Sequence, residues 1–107
     1  MSIQFAGLDE LDNEVYVLLE EGQKIGSIKM RFDLCTIMNI HVDEKLRKKG
    51  KGTQLVRYAE ALALQKGCRK MRANAIKPEA KEFFEKCGYC LTPDEGREYF
   101  GERTLVE

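Results

Sequence analysis

The segment that most constrains this chain is a short basic loop with two glycines, residues 47–53, which reads Arg-Lys-Lys-Gly-Lys-Gly-Thr. An apolar segment from Cys35 to Val42 precedes the loop, and an amphipathic helical pattern that ends at Gly67 follows it. A turn between a buried strand and a helix presents backbone N–H groups at the positive end of the helix dipole. Glycine lets an anion approach that backbone closely. The segment therefore predicts a strand, a phosphate-binding loop and a helix.

The charge around this loop indicates a polyanionic ligand. One orthophosphate does not require so many cations, whereas a pyrophosphate with a further phosphate would use them. Two common phosphate-binding loops do not fit. A Walker loop needs Ser or Thr where Gly52 stands, and a dinucleotide-binding loop needs glycine where Leu55 stands. The basic residues around the loop are Lys45, Arg47, Lys48, Lys49 and Lys51.

The segments before the loop predict a β-hairpin followed by a central strand. The run from Val15 to Leu19 is apolar, and after a glycine-containing turn residues 27–32 alternate between polar and apolar side chains. The segment from Cys35 to Val42 is apolar at both parities, which predicts a strand buried on both faces.

The segments after the first helix predict a strand, a helix and two final strands. Met71, Ala73 and Ala75 alternate with polar residues, and Pro78 begins a second helix. Residues 89–91 and 101–106 predict the last two strands. One face of the second helix carries Ala80, Phe83, Phe84 and Cys87.

Length and composition exclude several classes of protein. The 107 residues predict one domain, 1–107, and 18 Lys+Arg against 18 Asp+Glu argue against a dedicated nucleic-acid-binding domain. No apolar run approaches the roughly 20 residues of a membrane helix. The first twelve residues carry acids and no Lys or Arg, unlike a secretion signal. We therefore expect a cytoplasmic protein whose four cysteines are free thiols.

Two motifs, in order, resemble the GNAT N-acetyltransferase superfamily. Arg47, Gly50 and Gly52 match its acyl-CoA loop, Gln/Arg-x-x-Gly-x-Gly/Ala. The segment that reads Ala-x-x-Phe-Phe-Glu-Lys-Cys-Gly-Tyr, residues 80–89, is similar to the family's second signature helix. The resemblance covers about Val15 to Val106. It implies an α+β, acyl-CoA N-acyltransferase-like fold with a central mixed, mostly antiparallel sheet and two main helices, in which the family's N-terminal helices are largely missing.

This resemblance implies transfer of an acetyl group from acetyl-CoA to a primary amine by direct attack, without metal or a cysteine nucleophile. A V-shaped opening at the edge from Ile40 to Val42, which includes His41, would hold the pantetheine arm as an added strand. The amide of Ile40 would polarise the thioester carbonyl, and Phe84 would line the thiol end. The pyrophosphate would contact the loop residues Arg47, Lys48, Lys49, Gly50, Lys51, Gly52 and Thr53.

The sequence departs from the family at its acid–base positions. Thr36 stands where the family often has a general base, and Phe84 stands where it often has a tyrosine that protonates the thiolate. In a slow enzyme, proton transfer through water could replace the action of these groups.

Two alternatives remain open: a non-catalytic acyl-CoA-binding module, and a nucleic-acid-binding domain that uses the Lys/Arg loop. Four tyrosines are unplaced candidates for a substitute acid, namely Tyr16, Tyr58, Tyr89 and Tyr99.

The only histidine, His41, and the short N-terminal segment carry two further expectations. In a regular strand His41 shares a face with Ile37 and Asn39, opposite Thr36, so we expect a structural role unless a bulge turns its side chain to the other face.

Only 14 residues precede Val15, whereas the family usually encloses the acceptor site there with a strand and two helices. A macromolecular acceptor or a partner subunit, such as a second copy in a homodimer, would have to complete the wall.

Overall fold

A seven-stranded sheet organises the chain, and both α-helices that the structure describes contribute to one core with it. The computed structural model describes residues 2–44 and 49–106. The strands are β1 Ser2–Leu8, β2 Glu14–Glu20, β3 Gln23–Arg31, β4 Thr36–Val42, β5 Lys70–Ile76, β6 Cys90–Pro93 and β7 Tyr99–Thr104. The helices are α1 Lys51–Gln65 and α2 Lys81–Lys86, with short 3-10 turns at Pro78–Ala80 and Glu95–Arg97.

The strand order is β1-β2-β3-β4-β5-β7-β6, so β7 lies between β5 and β6. Every neighbouring pair is antiparallel except β4 and β5, which are parallel. A parallel pair needs a crossover connection, and α1 supplies it here. The expected α+β fold with a mixed, mostly antiparallel sheet and two helices is confirmed.

The sequence analysis left the first residues of the chain unassigned, but they form a strand. Ile3 pairs with Leu18 and Phe5 with Tyr16 along β2. Residues 9–13 then turn the chain directly from β1 into β2, because the carboxylate of Asp9 accepts hydrogen bonds from the backbone N–H of Leu11 and of Asn13, both at 2.9 Å. No helix stands between these two strands.

The core lies on one face of the sheet, where the strands pack against both helices. Leu55 of α1 packs over Gly26 of β3. A Cβ atom added to Gly26 would lie 3.3 Å from Cδ1 of Leu55. The buried carboxylate of Glu60 also ties α1 to the end of the sheet, since it accepts hydrogen bonds from Tyr89 at 2.8 Å and Arg103 at 2.6 Å. The fully buried side chains include Leu18, Ile28, Met30, Ile37, Leu55, Val56, Met71 and Cys87.

The expectation of four free thiols is wrong for one pair. Cys35 and Cys68 form a disulfide with their Cα atoms 5.9 Å apart, whereas Cys87 and Cys90 are free. The sequence separation of 33 hides this proximity. Since β4 and β5 run parallel, the turn before β4 and the turn after α1 meet at one end of the sheet, where the N–H of Arg72 donates to the carbonyl of Cys35 at 2.8 Å.

Two predicted elements differ from the simple sequence pattern. Ala75 does not continue the buried face of β5, because it takes a positive φ of 54° and the register with β7 shifts between Ala73 and Ile76. The buried residue after this shift is Ile76. The helix expected from Pro78 begins as a 3-10 turn and becomes α-helical at Lys81. No helix among the described residues is long and apolar enough to cross a membrane.

Candidate functional site

Strands β4 and β5 separate after their first two pairs. Among the described residues they pair only at Thr36 with Arg72 and at Ile37 with Ala73. On its other side β4 stays paired with β3 as far as Val42. The sheet therefore opens into a wedge along the second half of β4, which confirms the expected V-shaped opening.

The same separation corrects the expected burial of β4. Thr36 and Ile37 are buried, but Met38 is 38% exposed and Asn39 and His41 are also exposed. A strand that is apolar at both parities was expected to be covered on both faces. Its second half has no paired neighbour in β5, so side chains there reach solvent.

A β-bulge at Met38 changes which side chains share a face of β4. Ile37 lies opposite Met30 and Asn39 lies opposite Lys29, so Met38 has no partner in β3. Beyond the bulge, Ile40 pairs with Ile28. Residues directly opposite one another share a face of the sheet. Ile37 and Ile40 therefore both lie on the helix-covered face, although their spacing is odd.

The bulge overturns the parity expected for His41. His41 pairs with Ser27, whose side chain lies on the opposite face from the buried Ile28. Thr36 pairs with Arg31 on that same face. His41 and Thr36 therefore share the face away from the helices, because the extra residue at the bulge shifts the alternation by one.

Backbone directions place the N–H of Ile40 toward the opening. The N–H of Asp43 donates to the carbonyl of Ile25 in the β3 direction at 2.8 Å. Amide directions alternate along a strand, so the amides of residues 41 and 39 also face β3. The N–H of Ile40 points the other way, toward the side on which β5 has separated.

The first turn of α1 lies at the end of this opening. Gly50 is the N-cap residue and has a left-handed backbone with φ of 80°, and no side chain caps the helix or adds an acid to its first turn. The N–H of Gln54 donates to the carbonyl of Gly50 at 3.1 Å. The preceding amides, which include Gly52 and Thr53, have no acceptor inside the helix and suit an anion.

A ring of α2 packs against this turn. A Cβ atom on Gly52 would lie 2.9 Å from Cε1 of Phe83 and 3.6 Å from Cγ2 of Val42. Phe83 is half-buried, whereas Phe84 is only 4% exposed and packs edge-to-face against Tyr89. Phe83 is therefore the aromatic residue beside the loop, a position to which the sequence analysis had assigned no aromatic residue. The close approach to Gly52 is a signal that the sequence alone did not reveal.

Two of the five basic residues around the loop, Lys49 and Lys51, lie in the described part of the chain. Lys51 forms an ion pair with Glu20, with Nζ and Oε2 3.1 Å apart. Lys49 is exposed. Lys45, Arg47 and Lys48 lie outside the described residues.

The acid–base candidates expected from the sequence are largely engaged by hydrogen bonds. The hydroxyl of Thr36 donates to the carbonyl of Leu34 at 2.8 Å. Burial and a hydrogen bond to Glu14 raise the pKa of Tyr16 to about 12. Burial, together with the bond to Glu60, also raises the pKa of Tyr89. These tyrosines are poor proton donors at neutral pH.

The other candidate groups are also constrained by their neighbours. Tyr58 packs on Tyr16 with ring centroids 5.7 Å apart, and Lys81 lies over the ring of Tyr99 at 5.4 Å. Burial raises the pKa of the Cys87 thiol. A raised thiol pKa disfavours the thiolate that a covalent mechanism would need.

The chain belongs to the GNAT acetyltransferase family. The family model described as an acetyltransferase (GNAT) domain matches residues 12–90, which is more than half of the chain. No curated protein matches the chain. The resemblance inferred from the two motifs is confirmed.

Solved structures share the fold of this chain. An acetyltransferase from Bacillus cereus is 29% identical, with a TM-score of 0.72 over 87% of this chain and 73% of that one. The PaiA N-acetyltransferase of Thermoplasma acidophilum, solved with coenzyme A, is 17% identical, with a TM-score of 0.76 over 84% of this chain and 59% of that one. A GCN5-related N-acetyltransferase from Rhodopseudomonas palustris is 20% identical, with a TM-score of 0.73 over 87% and 62%. The chain thus spans about three fifths of the last two proteins.

Proposed function

We propose that this protein transfers an acetyl group from acetyl-CoA to a primary amine. The observation that carries the proposal is the wedge between β4 and β5, with the N–H of Ile40 facing it and the uncapped first turn of α1 at its end. An extended acyl-pantetheine arm can pair with the β4 edge as an added strand. Its pyrophosphate then reaches the amides of Gly52 and Thr53 at the positive end of the helix.

The residues present fit this ligand. The Ile40 amide would donate to the thioester carbonyl and stabilise the negative charge that develops there as the amine attacks. Phe83 packs against Gly52 and would form an apolar wall near the loop. The raised pKa of Cys87 favours direct attack by the amine over a covalent enzyme intermediate.

The acceptor approaches from the face of the sheet that the helices do not cover. Residues 9–13 join β1 to β2 directly, so this part of the chain builds no enclosing wall. That face carries ion pairs between Lys29 and Asp9 and between Arg72 and Glu102. An open and polar surface suits an amine carried by a macromolecule better than a small enclosed amine.

A non-catalytic acyl-CoA-binding module is the second candidate. It is favoured by Thr36, whose hydroxyl is already bonded, and by Phe84, which has no proton to give. Both candidates bind acetyl-CoA, and only the enzyme releases thiol when an amine is present.

Calorimetric titration of acetyl-CoA into the wild type and a Gly50→Glu variant tests the proposal. The matched control is Gly67→Glu, because Gly67 also has a positive φ of 91° and open space around it but follows the other end of α1. We expect binding that Gly50→Glu abolishes and Gly67→Glu preserves. Free thiol should appear in the same mixtures when a pool of amines is added.

Three results would contradict the proposed acetyl transfer or the assigned binding loop. Binding without thiol release across peptide and small-molecule amines would favour the binding module. Equal binding by both glycine variants would contradict the assigned loop. Nucleic-acid binding that falls steeply with salt, and that acetyl-CoA does not compete with, would favour a nucleic-acid-binding domain that uses the Lys/Arg loop.

A further inference from the structure

His41 is the only histidine of the chain and lies exposed on the second half of β4. It lines an open cavity of about 460 Å³ at the β3–β4 end of the sheet. Imidazole is the side chain that exchanges protons near neutral pH. The other residues that line this cavity are Lys24, Ile25, Gly26, Asp43 and Glu44.

The bulge at Met38 sets the direction of this imidazole. Without it, His41 would share a face with Ile37 and point into the core. With it, His41 lies opposite Ser27 on the face that neither described helix covers. Among the described residues this is the open side of the wedge, since side chains such as Leu55 and Phe84 are buried on the helix-covered side.

His41 is also next to the residue whose amide faces the wedge. Thr36 lies four residues before Ile40, about 13 Å away along an extended strand at 3.3 Å per residue. Thr36 is only 3% exposed, and its hydroxyl donates a hydrogen bond to the carbonyl of Leu34. On the open face of β4, His41 is therefore the protonatable side chain that the described residues place beside the thioester position.

Resting on the proposed acetyl transfer, we propose that the imidazole of His41 accepts a proton from the acceptor ammonium. Loss of that proton gives the neutral amine, whose nitrogen forms the new bond to the acetyl carbon while the carbon–sulfur bond breaks. A second proton leaves the nitrogen and reaches the departing thiolate through water. His41 then returns its proton to solvent, so the products are the amide, the free thiol and one proton.

Charged groups around His41 suit a cationic acceptor. Asn39 lies two residues before it on β4, Asp43 lies two residues after it just beyond the strand, and Glu44 and Lys24 line the same cavity. Two carboxylates and one ammonium group line the described part of this cavity, and such a surface favours the approach of a positively charged amine. Residues 45–48 lie outside the described part of the chain.

The test compares the wild type with His41→Gln. We expect kcat to fall about 100-fold, in the usual range for losing a general base, while the affinity for acetyl-CoA stays unchanged. The kcat/KM of the wild type should rise with pH as the imidazole loses its proton, and the variant should lack this rise. Imidazole added to the solution should restore part of the lost activity, which a purely structural role would not allow.

A readout without turnover comes from NMR of the imidazole signals, which are unambiguous because the chain has one histidine. Coenzyme A should shift these signals in the wild type, and this experiment stands even if His41→Gln fails to fold. Unshifted signals, or a folded His41→Gln variant with the kcat and pH profile of the wild type, would overturn the role of His41. A wild type that acetylates no amine would instead contradict the proposed function itself.

Discussion

At the scale of single residues, the contact between Gly52 and Phe83 links the two helices at the candidate site. The Cβ atom of an alanine at position 52 would lie 2.9 Å from the Phe83 ring. Gly52 belongs to α1 and has no positive φ, so close packing is the reason for glycine here. The sequence motif indicated that Gly52 belongs to the loop, but the Phe83 ring that leaves no room for a larger residue could be found only in the structure.

We predict that Gly52→Ala changes stability with opposite signs in two backgrounds. With Phe83 present, the clash should outweigh the better helix propensity of alanine and lower the free energy of unfolding by about 1 kcal/mol. With Phe83→Ala, the same change should raise it by up to about 1 kcal/mol. Urea unfolding of the four proteins measures this coupling. Additive effects would contradict the contact.

At the scale of elements, the turn between β1 and β2 depends on Asp9. Hydrogen bonds from Asn13 and Leu11 and the ion pair with Lys29 outweigh partial desolvation and lower the pKa of Asp9 to about 2. An unfolded aspartate has a pKa near 4. The turn therefore stabilises the fold above about pH 4, and this contribution is lost as the pH falls toward 2.

We predict that Asp9→Asn lowers the thermal midpoint at pH 7 but has little effect at pH 2. The reason is that at pH 2 the carboxyl is protonated in the unfolded wild type and about half protonated in the folded one, so most of the stability linked to its charge is already lost. Asp12→Asn makes the same change of charge in the same turn, without the bonds to Leu11 and Asn13, and serves as control. A loss of equal size at both pH values would show that the charge of Asp9 does not support the turn.

The disulfide between Cys35 and Cys68 joins the start of β4 to the turn after α1. Closing a loop of this length stabilises a fold by about 3–4 kcal/mol in the chain-entropy estimate. Dithiothreitol should therefore lower the free energy of unfolding by that amount in the wild type and in Cys90→Ala. It should have no such effect in a Cys35→Ala, Cys68→Ala variant.

Thiol counting provides an independent check of this disulfide. Alkylation of the denatured protein without reductant should label Cys87 and Cys90 alone. Labelling of all four cysteines in protein purified under oxidising conditions would contradict the bond.

The elements also show which patterns the sequence could reveal. Glycine, basic residues and helical spacing between Gly50 and Gly67 are local signals, and they predicted α1 and its loop. The bulge at Met38 is different, because a methionine fits a regular strand equally well and the extra residue appears only in the register with β3. The face of His41 could therefore not be predicted from alternation.

At the scale of the whole molecule, long-range contacts account for the remaining differences. Ser2–Leu8 is a strand because it pairs with β2. Its residues alternate between polar and apolar only from Ser2 to Phe5, so its own sequence is a weak signal. The disulfide depends on how parallel β4 and β5 bring two distant turns together. Two local motifs were enough to predict the family, whereas the open face of the sheet depends on how all the described elements are arranged.

The central claim is that one ligand spans the wedge and the first turn of α1, and NMR of uniformly ¹⁵N-labelled protein tests it most directly. Addition of acetyl-CoA should shift the amide signals of Ile40, Gly52 and Thr53 together at the same ligand concentration. Amides of β1 and of the C-terminal end of α1 should change little. Absent shifts, or shifts of the α1 turn without Ile40, would contradict the account, because the acyl arm would then not lie along β4.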